Sequence, residues 1–339
     1  MSQHMNNIFQ YAPKELATDA FLAWYFTELV ENTASQRPAT SFFYSLGLCK
    51  CASDRIHDIH VSRQEKNTDL ILRYSVNGKK VQALFENKTY TSTHSGQLER
   101  YLSHFGNFDY YKYLKLGYVT FSERKEAEKL GYGVIDVYRL RSALGDRPSN
   151  MIADQYRDYL DTRFIALQHT IRDEMIQDNK YQLLKHSEAQ QHILSTLHEQ
   201  LDGAIPNLHF KPGANVGGSP WTQLDIAKRN NAYAGAAECL YWRIGMRKKR
   251  YYLRLNQYSN IDEHAWPRKE HNLNTLRDYV SKLLVGSGLV LGPVSNRGMK
   301  ESEVAIIFFA DNNLSNVVPL MPSLSKDIYG FYSSFSNWV

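Results

Sequence analysis

Only three cysteines occur in 339 residues, Cys49, Cys51 and Cys239, and their spacing suits neither a disulfide framework nor a zinc site. A reducing compartment, the cytoplasm, is the expectation. Long apolar runs are also missing. The longest, Val304 to Ala310, falls far short of the roughly 20 residues a membrane helix needs, and the N-terminus lacks the apolar centre of a signal peptide. Neither sign of charge dominates: 40 basic against 35 acidic residues leave a net charge of +5. That excess is compatible with a polyanionic partner but does not argue for one alone. No internal repeat, Walker-type phosphate loop or nucleophile elbow is present, so any chemistry must rest on a site of another kind. What is there is ordinary: 43% hydrophobic and 22% charged residues describe a folded chain rather than a disordered one, and the length allows two domains.

The informative stretch is NTDLILRYSVNGKKVQALFENKTYTSTHSGQLERY, Asn67 to Tyr101. Asn77-Gly78 between two apolar-rich runs predicts a two-residue type I′ hairpin, because both central positions need positive φ. The turn sets the register. Val76 then faces Lys79, Tyr74 faces Val81, Leu72 faces Ala83 and Leu70 faces Phe85, a nearly all-apolar set that must lie on a core. The other face pairs Ser75 with Lys80, Arg73 with Gln82, Ile71 with Leu84, and finally Asp69 with Glu86. Two opposed carboxylates have Cβ atoms about 5 Å apart. At an effective dielectric of ~20 they repel by roughly 3 kcal/mol. Lys88, two residues on, offers one compensating charge, and a divalent cation supplies the remainder. Asp followed by Glu-x-Lys on the neighbouring strand is a metal-dependent phosphodiesterase arrangement, in which carboxylates hold Mg²⁺ and the lysine positions or deprotonates the attacking water.

With Asp69 in NTDLIL and Glu86-Asn87-Lys88 in FENK, the chain resembles the PD-(D/E)XK nuclease superfamily. Gln97 and Tyr101 in QLERY match the QxxxY element of its RecB-like branch, and IFQYAPKELATDAFLAWYF looks like the start of a bacterial group within it. The resemblance covers about residues 8–140. Thr68 stands where many members have proline. The resemblance implies an α/β fold with a restriction-endonuclease-like mixed sheet flanked by helices, and a Mg²⁺- or Mn²⁺-dependent nuclease acting on nucleic acid, DNA foremost. It further implies metal ligands Asp69, Glu86 and the Asn87 carbonyl, with Lys88 as the water-orienting base and Gln97 assisting. A first-helix Glu15 either completes the metal shell or complements the helix dipole. Tyr101 braces its helix or touches a phosphate. A role in bacterial anti-phage defence belongs to the same resemblance. A catalytically silent nucleic-acid-binding scaffold and an RNase are the alternatives, and intact Asp69, Glu86 and Lys88 argue against the first.

Along the chain, Pro13 suits a helix N1 position, and Leu16, Ala20, Ala23 and Trp24 recur at helical spacing to about Glu31. Asp19 on this helix reads as solvated or capping. Asp109 to Lys115, with tyrosines interleaved with lysines, reads either as a face for a nucleic-acid backbone or, more commonly, as a solvated amphipathic helix, with strands expected at Tyr118–Phe121 and Gly133–Val137 around a helix. The nuclease domain is expected to span residues 1–150, followed by a helical connector over 151–202. A smaller α+β domain over 203–339 would bind substrate or partner, either a second copy of the chain or another protein. Its start reads as a Pro- and Gly-rich loop to Pro220. RKKR, Arg247 to Arg250, is either a solvated hairpin tip or a phosphate contact.

Overall fold

The computed structural model describes residues 7–11, 14–31, 37–91, 96–146, 150–230 and 237–335. Pro13 lies outside them. The chain divides into two compact units, Met1–Gln168 and His169–Val339. Both mix helices with a sheet.

The first unit carries a mixed five-stranded sheet in the order β1 (Ile56–Arg63), β2 (Leu70–Val76), β3 (Lys79–Lys88), β4 (Tyr110–Lys115), β5 (Tyr132–Asp136). β1, β2 and β3 run antiparallel, while β4 lies parallel to β3 and β5 parallel to β4. The turn at Asn77-Gly78 has φ of 52° and 82°, as a type I′ turn requires. From Leu70↔Phe85 to Val76↔Lys79 the ladder follows the register that the turn dictates. Its apolar face, with Leu70, Leu72, Tyr74, Val81, Ala83 and Phe85, joins the larger core. Ile71 and Leu84 on the reverse face join a second core with Leu98 and Tyr101. The sheet is therefore covered on both sides.

Helix α1 (Lys14–Glu31) packs on the larger core. Its buried stripe is Thr18, Phe21, Leu22, Tyr25 and Phe26, whereas Leu16 is 43% exposed and Ala20 also faces outward. The stripe thus sits in a different phase from the Leu16–Ala20–Trp24 reading, and Asp19 falls on the buried side, 2% exposed. α2 (Arg37–Ser45) lies between α1 and β1. α3 (Gln97–His104) follows the site strand, and α4 (Phe121–Lys129) and α5 (Val137–Leu144) flank β5.

Two expectations fail here. Asp109 to Lys115 is not a solvated helix: residues 110–115 form the interior strand β4, with Lys112 and Lys115 buried. Alternating tyrosines favour a strand, and Lys115 is satisfied by Glu123 at 2.6 Å. Nor is Tyr118–Phe121 a strand, because Thr120 caps α4 in a capping box with Glu123.

The segment expected as a connector contributes to both units. α6 (Met151–Leu160) buries Ala153, Tyr156, Tyr159 and Leu160 in the first core, where Phe21 stacks on Tyr156 with centroids 3.7 Å apart. α7 (Ser187–Leu201) belongs to the second unit, where Gln190 donates to the Pro220 carbonyl at 3.2 Å. That unit holds a six-stranded antiparallel sheet, β10 (Asn296–Arg297), β11 (Glu301–Phe308), β9 (Arg250–Ser259), β8 (Ala237–Arg247), β7 (Pro220–Asn230), β6 (His209–Ala214). Helices α8 (Trp266–Leu283) and α9 (Met321–Ser334) complete it. The expected boundary loop is thus partly strand. Pro212 lies in the edge strand β6 and Pro220 opens β7, the two kinds of place where a sheet tolerates proline.

Candidate active site

β2 begins at Leu70, so Asp69 stands one residue before it, beyond the last ladder pair. Its Oδ2 accepts the backbone N–H of Asn87 at 2.7 Å. The segment leading to it is bent: Gln64, Lys66 and Asn67 have φ of 54°, 51° and 65°. Such conformations cost of order 1–3 kcal/mol each for ordinary residues and persist where surroundings over-determine them. Part of that constraint comes from Tyr101, whose hydroxyl donates to the Asn67 carbonyl at 2.8 Å. Glu65 does not enter the site; its carboxylate takes the Arg73 guanidinium through bonds of 2.8 and 3.0 Å.

Glu86 is fully buried. Its Oε1 receives Lys88 Nζ at 2.5 Å and Gln97 Nε2 at 2.6 Å. Among the described residues, its Oε2 is buried with no hydrogen-bond partner. The alternation of β3 sets this arrangement: Glu86 and Lys88 share one face, and Asn87 points to the other, where its Nδ2 donates to Asp19 Oδ1 at 2.9 Å and to the Glu15 carbonyl at 3.2 Å. Gln97 and Tyr101 are neighbours on one side of α3, 3.1 Å apart through Nε2 and the hydroxyl.

The electrostatics follow from burial. Desolvation, and then the Asp69 charge, push Glu86 up to about 7. Burial also raises Asp69, against the opposing pull of the Asn87 N–H and the Lys88 charge. Asp19 reaches about 7 through burial and then Asp69. For Lys88, burial works against the charge, but the bond to Glu86 together with the charges of Glu86, Asp69 and Glu15 outweighs it and holds the ammonium above its usual value.

An ion implied by the resemblance meets a donor set that fits. Glu86 Oε2 is an orphaned buried acceptor, Asp69 adds a second hard oxygen donor, and Mg²⁺ is ordinarily bound through one or two carboxylates with its remaining positions left to water and substrate. No group of three or more His, Cys, Asp or Glu side chains suited to a metal occurs among the described residues. Glu15 Oε1 accepts from the Thr89 N–H and the Thr91 hydroxyl, each at 3.2 Å, and its charge acts on Asp69 and Lys88. It ties α1 to the segment after β3.

Sequence reasoning missed two features. Asp19 shares its helix side with Leu22 and Phe26, a spacing of three and four that marks it as inward-facing. Beside Gln97 and Tyr101 lies a recess of about 380 Å³ bordered also by Lys66, Asn67, Arg100, His104 and Phe105. Its cations come from two distant segments, so no local motif announces them.

No protein-family model matches the chain, and no curated protein does. Among solved structures, the chain is similar to the DNA modification-dependent restriction endonuclease AspBHI, with 17% identity and a TM-score of 0.24 over 44% of this chain and 40% of that one.

Proposed function

We propose that the first unit is a divalent-metal-dependent nuclease that hydrolyses phosphodiester bonds, with DNA as its substrate. The carrying observation is Glu86: a fully buried carboxylate, fixed through one oxygen by Lys88 and Gln97, whose other oxygen has no partner among the described residues and which stands beside Asp69. Asp69, Glu86 and the Asn87 carbonyl would hold Mg²⁺ or Mn²⁺. Bound there, the ion supplies a Lewis acid and a lowered pKa for a water.

The chain's own residues do the rest. Lys88 Nζ orients the attacking water and answers the negative charge that develops on the phosphoryl oxygens. Gln97 occupies Oε1 of Glu86 and so keeps Oε2 directed to the ligand position. Tyr101 holds the bent segment before Asp69 through the Asn67 carbonyl, and Glu15 orders the chain after β3 through Thr89. Both act on position rather than on the reacting atoms. Lys66, Arg100 and His104 around the recess take the phosphates flanking the scissile bond.

The test is incubation of the purified chain with labelled linear DNA, circular DNA and RNA, in Mg²⁺, Mn²⁺ or EDTA. Metal-dependent cleavage of DNA that stops in EDTA is expected. Cleavage surviving EDTA, or none on any substrate, overturns the reading, and cleavage of RNA alone changes the substrate. A part in anti-phage defence rests on the family resemblance, and phage plating with and without Lys88→Ala tests it.

A further inference from the structure

The second unit's sheet has one apolar and one polar face. Leu240, Trp242 and Ile244 on β8 point to the apolar side, where Trp242 Nε1 donates to Ser325 of α9 at 2.9 Å. On the reverse side the register lines up Lys211, Gln223, Arg243 and Arg254 across four strands. Arg243 and Arg254 are directly paired, so two guanidinium groups stand on facing residues of neighbouring strands.

Their partners are unequal. Arg254, 2% exposed, is answered by Glu301 at 3.2 Å and Glu303 at 3.3 Å, and Arg247 also approaches Glu303 at 3.9 Å. Three arginines thus meet two carboxylates. The unmatched one is Arg243, half-buried and without an ion pair among the described residues, its Nε buried with no acceptor. Burial, and then the Arg254 charge, hold its guanidinium below the usual arginine range.

Arg243 is also braced. Its guanidinium lies 4.4 Å from the centroid of the Trp221 ring, and that ring lies over Gly213, where an added Cβ would come within 2.3 Å of it. A glycine is required at that place because an aromatic ring is laid flat there. The Trp221 ring and the nearby Glu301 charge hold Arg243 in place but leave it without an ion pair among the described residues, and a neutral residue there would relieve the repulsion from Arg254.

We propose that this polar face binds a nucleic-acid strand, with a backbone phosphodiester on the Arg243 guanidinium. One unmatched positive charge suits one phosphodiester. The strip continues on the same two strands into the turn at residues 247–250, where Arg250 is paired with Asp311 and the exposed Lys248 and Lys249 offer cations to the next phosphate. The choice of nucleic acid over another polyanion rests on the nuclease reading above.

The experiment measures binding of labelled single-stranded DNA, duplex DNA and RNA to the full chain in EDTA across a salt series, for wild type, Arg243→Gln and Arg243→Lys. Arg243→Gln should weaken binding about tenfold and flatten the slope of log K against log salt by ~0.7–0.9 for one lost phosphate contact. Arg243→Lys should keep most of the slope, and the melting temperature of Arg243→Gln should stay level or rise. A lowered melting temperature with an unchanged slope would make Arg243 a structural brace and overturn the proposal. So would polyglutamate or phosphatidylserine vesicles showing the Arg243 dependence when nucleic acid does not. Cleavage in Mg²⁺ is assayed separately. Arg243-dependent binding without cleavage removes the nuclease reading alone, whereas cleavage with Arg243-independent binding, or with no binding in EDTA, removes this proposal alone.

Discussion

Lys88 Nζ lies 2.5 Å from Oε1 of Glu86, two residues earlier on the same strand, with side chains 10% and 0% exposed. The pair is buried, so each member controls the charge of the other. Removing one partner of a buried ion pair ordinarily costs ~3–5 kcal/mol because a charge is stranded. Glu86 has an escape: at about 7 it already lies close to taking a proton. Lys88→Met should therefore lower metal-free stability by less than that range. Cleavage should fall by roughly 10²–10⁴-fold, the usual worth of a positioned acid-base group. Calorimetry and single-turnover rates read the two effects, and wild-type cleavage in the variant would remove Lys88 from the mechanism.

Glu86→Gln separates the same two quantities in the other direction. The amide oxygen can still accept from Gln97 and Lys88, the Asp69 and Glu15 charges remain to answer the Lys88 ammonium, and the repulsion between Glu86 and Asp69 disappears, so melting in EDTA should stay level or rise. Cleavage should collapse because a neutral amide holds Mg²⁺ poorly. A stable Glu86→Gln chain that still cleaves would refute the site as placed here.

The hairpin was legible because one turn type fixes a whole register, and the ladder from Leu70↔Phe85 to Val76↔Lys79 follows from Asn77-Gly78 alone. Asp19 was not, because two apolar stripes compete on α1. Leu16, Ala20, Ala23 and Trp24 have good spacing, but the aromatics Phe21, Tyr25 and Phe26 bury more area and decide which side faces the core. β4 was hidden by its lysines, whose burial depends on Glu123 and on glycines supplied from other segments. β6 was hidden by Pro212 and Gly213, which read as loop residues until Trp221 is seen lying on the glycine.

The recess beside α3 gives a prediction about binding rather than chemistry. Arg100 borders it and is exposed. Its replacement by Ala should leave stability within about 0.5 kcal/mol, as at most surface sites. KM for a nucleic-acid substrate should rise several-fold with kcat nearly unchanged, since uniform binding is what such a residue supplies. A fall in kcat with KM unchanged would instead place Arg100 at the reacting phosphate.

Lys112 offers a pH signature of the fold itself. It sits on β4, 6% exposed, with Nζ 2.8 Å from where a Cβ on Gly133 would stand. Burial, and then the charge of Arg139, pull it from 10.5 down to about 8. Between those values the unfolded chain keeps a proton that the folded chain has released, so stability rises with pH across that window. The full span corresponds to about 3 kcal/mol at 1.36 kcal/mol per unit. Buried tyrosines such as Tyr74, raised by burial, act the opposite way once the unfolded chain begins to lose phenolic protons near 10. The clean interval is therefore pH 7.5–9.5. In EDTA, Lys112→Met should be more stable than wild type at pH 7.5, and the gap should narrow steadily toward pH 9.5. A gap that stays constant over that interval would mean Lys112 keeps its proton in the folded chain.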